Sequence, residues 1–182
     1  NNLIKLRKMV QRRLFGEPFQ HILGKGSFYG RDFRVDNNVL IPRPETELLI
    51  ERLKVRGKVN SLLDIGTGTG CIAITASLEK LAENLFATDS SVSALSVAKE
   101  NIKIFNVTNV QMAVHNFLHN RFKSKFDVVV SNPPYISVDN MTFLQKEVKD
   151  YEPHSALTDN ADGLSFYRRF AEKFDNLLIS GG

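Results

Sequence analysis

The short apolar run Ser61-Leu62-Leu63-Asp64-Ile65 breaks at Gly66-Thr67-Gly68-Thr69-Gly70, and the helical stretch of residues 71–81 follows at once. Strand, glycine turn and helix in that order is the opening of a βαβ unit, which commits the chain to an α/β architecture. Glycine lets the backbone pass close to a ligand and take φ > 0. The spacing G-x-G-x-G is one residue tighter than the dinucleotide fingerprint, and no P-loop lysine follows, so a pyrophosphate fits it imperfectly.

Asp64 at the end of that strand argues the same way, because a carboxylate repels an anion and suits a cationic ligand. S-adenosylmethionine, which carries a sulfonium and an ammonium, meets the requirement. Leu85-Phe86-Ala87-Thr88-Asp89 reads as a second strand ending in an acid. Asp89 stands where such folds hydrogen-bond a ribose diol; its other reading is a cap for the helix that starts after Ser90-Ser91. That helix spans residues 92–105 with Leu95, Ala98 and Ile102 on one face, and a third strand covers residues 110–114. His115-Asn116-Phe117 follows, where Phe117 either packs on an adenine ring or belongs to the core.

A fourth strand, residues 126–130, runs into Ser131-Asn132-Pro133-Pro134-Tyr135. Ligands of open α/β sheets sit at this carboxyl edge. Pro133 and Pro134 lack amide hydrogens and hold φ near about −65°, so they end strand pairing and turn their carbonyls outward. The Asn132 amide oxygen lies beside them. Two neighbouring acceptors suit a planar –NH2 group, each taking one hydrogen while the nitrogen is aimed elsewhere. Tyr135 adds an aromatic wall. The chemistry suggested is methyl transfer to a planar nitrogen.

Upstream, residues 3–15 read as a basic helix, and residues 24–39 alternate aromatic and polar positions around Gly30, the pattern of a β-hairpin. The hairpin leads into Leu40-Ile41-Pro42-Arg43-Pro44-Glu45-Thr46-Glu47, where Pro44 suits a first helical position and the acids suit the helix N-terminus. Arg43, pinned between two prolines, is expected in a wall of the substrate pocket. Of the net charge of +4, residues 1–31 hold seven cations against Glu17 alone. This basic leader fits an acidic protein or RNA, or is simply a solvated helix face. Downstream, residues 141–152 read as partly helical, His154 as a surface histidine, and residues from Gly163 onward as a last helix. A sheet of four strands leaves an edge unpaired, so further C-terminal strands are expected beyond this sequence.

Chain length and a hydrophobic content of 42% allow one sizeable core. Cys71 is the only cysteine, which permits no internal disulfide and no cysteine zinc site, and no metal is expected. No run reaches membrane-spanning length, and the N-terminus lacks the features of a secretory signal. A reducing compartment follows, cytoplasmic in a bacterium or mitochondrial in a eukaryote.

Taken together, the Asp64 to Gly70 motif, Asp89, Ile41-Pro42-Arg43-Pro44-Glu45-Thr46-Glu47, Gly16-Glu17-Pro18-Phe19-Gln20-His21 and Ser131 to Tyr135 resemble the HemK/PrmC peptide chain release factor glutamine methyltransferases. The resemblance runs from about Gly16 to Gly182. It implies a class I methyltransferase fold, Rossmann-like with a mainly parallel sheet, behind a helical N-terminal domain. Residues 1–23 would be a remnant of that domain, 24–43 a hairpin linker and 44–182 the methyltransferase domain.

It implies S-adenosylmethionine as donor and the glutamine of a release-factor Gly-Gly-Gln loop as acceptor, in a monomer needing no nucleic acid. Carried over by position, Gly66, Thr67, Gly68, Thr69, Gly70, Asp89 and Phe117 bind the cofactor, with Asn132 beside it. Asn132, Pro133, Pro134 and Tyr135 hold the glutamine. The family commonly has an acid before an aromatic where this chain has Asn116-Phe117. The alternatives are adenine-N6 methylation of DNA or RNA, since Asn-Pro-Pro-Tyr is shared with such enzymes, and an inactive cofactor-binding subunit.

Overall fold

The computed structural model of the chain describes residues 2–182. Helix α1 (Asn2–Leu14) is followed by the short α2 (Phe19–Leu23). α1 buries none of its residues. It is moored by the Arg13–Glu147 ion pair at 2.6 Å and by the Tyr151 hydroxyl, which donates to the Phe15 carbonyl at 3.2 Å.

Strands β1 (Lys25–Phe28) and β2 (Arg31–Arg34) form the expected antiparallel hairpin, Lys25 opposite Arg34 and Phe28 opposite Arg31. Its two turn residues, Tyr29 and Gly30, have φ of +50° and +71°, as a tight type I′ turn requires. The hairpin is more than a connector. Phe28 and Phe33 are fully buried and belong to the same core as Ile74 and Leu85.

A 3₁₀ turn (Pro44–Thr46) opens α3 (Glu47–Arg56), and Pro44 takes the first helical position as expected. Then β3 (Val59–Ile65), α4 (Cys71–Leu78), β4 (Ala82–Asp89), α5 (Val92–Ile104), β5 (Val110–Val114) and β6 (Val128–Ser131) build a wholly parallel sheet in the order β5-β4-β3-β6. Residues 62–65 read as continuous because β3 is covered on both sides: Leu62 packs into one core and its neighbour Leu63 into the other. The chain leaves β3 to one side and returns for β6 on the other. The loops after β3 and β6 therefore open side by side, with Ile65 opposite Ser131 in the register.

Two boundaries differ from expectation for identifiable reasons. α4 stops at Leu78 because Lys80 takes φ +57° and the Leu81 amide reaches back to the Ala76 carbonyl, a Schellman closure without glycine. β6 starts two residues late because the Asp127 carboxylate accepts the Ser61 amide at 2.8 Å where a ladder bond would stand. Phe126 pairs outward instead, with Leu178.

After 3₁₀ turn Asp139–Phe143, the short helices α6 (Lys146–Tyr151) and α7 (His154–Leu157) lead to α8 (Ser165–Leu177). α8 closes the second core with Leu177, Phe166 and Phe170. No described helix is long and apolar enough to cross a membrane.

Candidate active site

The three consecutive ladders β4, β3 and β6 end together, and the loops beyond them enclose a narrow cleft. Gly66, Gly68 and Gly70 all have positive φ, so each is needed for the turn itself. The amides of Gly66 and Thr67 both donate to the Thr88 carbonyl, at 2.8 and 2.9 Å, and the Gly68 amide donates to Asp89 Oδ2 at 2.9 Å. The turn is thus lashed to the end of β4, with Gly66, Thr67, Gly68 and Thr69 on the cleft wall.

Asp64 and Gly70 do not join them. Asp64 is fully buried and accepts the Thr67 hydroxyl at 2.6 Å, so its carboxyl braces the turn from beneath and does not line the cleft. Burial pushes this carboxyl up to about 7, with the Thr67 hydrogen bond pulling the other way. Gly70 serves packing: a Cβ there would stand 3.0 Å from Ile74 Cδ1 and 3.3 Å from Ala98 Cβ.

Asp89 lines the cleft. Its Oδ1 accepts the Ser91 amide and its Oδ2 the Gly68 amide, each at 2.9 Å, which leaves each oxygen room for another donor. The cap of α5 is Ser91, whose hydroxyl accepts the Ala94 amide at 3.1 Å. Phe117 is a core residue that also reaches the cleft. It is buried against Phe170, ring centroids 4.5 Å apart, and also lines the cleft. Asn116 lines the cleft too, but its side-chain oxygen accepts the Leu118 amide at 3.1 Å and so shapes the turn. His115, to which the sequence assigned no role, completes this wall. Its ring stacks on Phe122 at 3.9 Å, and burial holds it toward the neutral form.

On the far side of the Asn-Pro-Pro segment lies a wider groove of about 610 Å³, lined by Tyr135, Leu49 and the Tyr167, Phe170 and Phe174 side of α8. Among the described residues, only Arg43, Thr46, Asn132 and Pro133 line both cavities. Asn132 is oriented by donating its Nδ2 to the Thr46 hydroxyl at 3.1 Å, which leaves the amide oxygen as its free pole. Ser131 anchors the segment by donating its hydroxyl to the Ile65 carbonyl at 2.7 Å. Pro134 faces the cleft alone and Tyr135 the groove alone. Behind Tyr135, Gly163 packs so closely that a Cβ would lie 2.3 Å from the Tyr135 carbonyl oxygen. Three backbone amides, of Ala161, Gly163 and Ser165, converge on Asp159 and hold that turn in place.

Sequence reasoning passed over Thr46, Glu152 and Asn101. Asn101 is fully buried; its Nδ2 donates to the Thr69 carbonyl at 2.9 Å, and its Oδ1 accepts the Arg34 amide at 2.8 Å. It pins the hairpin to the glycine turn. The available signal was an asparagine on the apolar face of α5. His154 is exposed, as expected.

Comparison with known proteins agrees with this geometry. The methyltransferase small domain family matches residues 44–148. A release factor glutamine methyltransferase from Thermodesulfovibrio yellowstonii is 39% identical, the alignment covering 97% of this chain and 65% of the relative. A release factor glutamine methyltransferase from Bacillus subtilis is 42% identical, with 94% and 62% covered. The chain therefore spans less than two thirds of the length of these curated relatives.

Among solved structures, Trm5b from Pyrococcus abyssi matches with a TM-score of 0.52 at 21% identity, over 82% of this chain and 46% of that one. The tRNA (uracil-54, C5)-methyltransferase of the same organism, in complex with S-adenosyl-L-homocysteine, matches with 0.50 at 21%, over 60% and 27%. These two likenesses establish the fold. By the family match over residues 44–148, the chain belongs to the methyltransferase small domain family.

Proposed function

We propose that the chain methylates the side-chain amide nitrogen of the glutamine in the Gly-Gly-Gln loop of peptide chain release factors, with S-adenosylmethionine as donor. The observation that carries the reading is the shared wall: Asn132 and Pro133 border both the cleft and the groove. An amide held from the groove by the Asn132 oxygen and the Pro133 carbonyl presents its nitrogen to the cleft. The names of the curated relatives supply the acceptor.

The donor fits the residues present. Among the described residues no lysine lines the cleft, Arg43 is already paired with Glu152, and His115 is held toward neutrality, so the free charge they turn to a ligand is the Asp89 carboxylate. That arrangement suits a cation bearing a ribose diol and disfavours a phosphate. When bound, the donor supplies an electrophilic methyl group on a positively charged sulphur. Asp89 then takes the diol hydroxyls, Gly66 and Gly68 let the backbone approach, and Phe117 and His115 offer flat faces at the end of β5.

Asn132 and Pro133 do the positioning. A glutamine amide is a weak nucleophile because its lone pair is delocalised, and fixing both N–H bonds removes orientational freedom and stabilises the partial positive charge that develops on nitrogen. Thr46 holds the Asn132 amide in the required sense. Tyr135 closes the groove side. Neither a covalent intermediate nor a dedicated base is required, and the proton leaves to water.

The test is incubation with radiolabelled donor and one of three acceptors: a release factor, the same factor with its Gly-Gly-Gln glutamine replaced by alanine, or duplex DNA. Label is expected on the first alone. Label on DNA would establish the adenine reading, and donor binding without transfer to any acceptor would establish the inactive subunit.

A further inference from the structure

Glu152 is the most deeply buried glutamate, only 4% exposed, and a carboxylate in that position is costly unless it is paired. Its partner comes from far along the chain. Arg43 Nη2 donates to Glu152 Oε1 at 2.7 Å and to Oε2 at 2.8 Å. The Ile41 amide also reaches the carboxylate. Burial raises the carboxyl above its ordinary range, and the Arg43 hydrogen bond and charge oppose it.

This contact fastens Arg43 at its far end, while Pro42 and Pro44 fix its backbone in an extended conformation, φ −105° and ψ 139°. Among the described residues, Nε and Nη1 make no hydrogen bond. Arg43 is also one of the four residues that line both cavities. It is therefore a rigid donor in the wall where the amide is to be held, with its spare N–H bonds unspent.

We infer that Glu152 is a positioning residue. It holds Arg43 so that the remaining guanidinium N–H bonds bind a main-chain carbonyl of the incoming peptide beside the reacting glutamine. The inference rests on the function proposed above and identifies what recognises the peptide backbone there. The ligand class follows from charge. Glu152 already neutralises Arg43, so a second anion would leave the site with one uncompensated negative charge in a partly buried setting. A neutral carbonyl accepts from the same donors without that cost.

The contact is made away from the reacting nitrogen, so it acts on ground state and transition state alike and its loss appears in KM. Glu152→Gln keeps the shape and removes the charge that orients Arg43. With a release factor as acceptor, KM is expected to rise about tenfold, kcat to stay within about threefold, and the Kd for S-adenosylhomocysteine to stay within about twofold. Arg43→Ala is expected to raise KM at least as much, and adding Glu152→Gln to it to raise KM no further, as a residue acting only through Arg43 requires. Glu152→Asp, which keeps the charge, is expected to recover part of the loss.

Three results would overturn the inference. They are an unchanged KM in Glu152→Gln, additive effects in the double variant, or a fall in thermal midpoint accompanied by equal losses in kcat, KM and donor affinity. The wild-type chain assayed alongside reads the methylation itself. Transfer there with a normal KM in Glu152→Gln removes the strut and leaves the function standing.

Discussion

The cleft and the groove share four residues but differ in what holds their working parts. One wall of the cleft, residues 65–72 with Asp89, is local in sequence and is held by backbone amides donating to Thr88 and Asp89, while residues 38–46, 115–117 and 132–134 supply other walls. The groove is assembled from residues 43–49, 129–135 and 167–178, segments distant in sequence. Its working parts are held by partners outside it: Asn132 through Thr46, Arg43 through Glu152, and Tyr135 against Gly163. Backbone-built sites depend on conformations that few residues can adopt. Side-chain-built sites depend on second partners, each of which can be removed without unfolding the sheet.

This contrast can be broken most sharply at the shared wall. On the proposed function, Asn132→Ala removes the acceptor that would orient the substrate amide, and kcat for release-factor methylation is expected to fall about 10³-fold, the scale found when one preorganised polar group is deleted. Donor affinity, measured by calorimetry, should stay within about threefold. Equal losses in both would make Asn132 part of the cleft and erase the distinction.

The reciprocal change is Asp89→Ala. If Asp89 takes the donor diol as proposed, loss of those charge-assisted hydrogen bonds should weaken donor binding by roughly 10- to 100-fold. With saturating donor, kcat should remain within about threefold of wild type. A variant that binds the donor normally would shift the ribose site away from Asp89.

The smallest effect concerns the buried brace beneath the cleft. Asp64 has a folded-state value of about 7 against 3.8 when unperturbed. Between those values the unfolded chain is ionised while the folded chain keeps its proton, so folding stability from this group declines as pH rises through the interval and levels off above it. Asp64→Asn cannot ionise. The difference in thermal midpoint between variant and wild type should therefore move in the variant's favour from pH 4 to pH 8, and a flat difference would show that Asp64 does not titrate there.

Much of the cleft was legible because its signals are local. Three glycines in five residues announce positive φ, and an acid at the end of the next strand announces Asp89. Asp64 and Gly70, expected as ligand contacts, lie off the cleft lining for the same reason that the motif is recognisable. The turn needs an internal brace and a close helix approach, and a string of letters does not separate residues that make a turn from residues that the turn presents. Lys80 carried no turn signal at all, since lysine is rarely placed at positive φ, and α4 ended earlier than its apolar pattern suggested. Asn101 and Glu152 were invisible because their partners lie 67 and 109 residues away.

What the amino-acid order determined alone was the alternation of strand and helix, the glycine turn and the proline-ended strand, because each depends on backbone preferences acting over a few neighbouring residues. Only the tertiary structure decided that the Asn132 amide is oriented by Thr46, that Arg43 is secured by a buried carboxylate, and that these residues form one wall between two cavities. Those facts come from parallel pairing, which sets Ser131 beside Ile65 and brings distant loops to the same edge of the sheet. Hydrogen bonds reach about 3 Å whatever the separation along the chain, so the residues that meet there are chosen by the sheet's register.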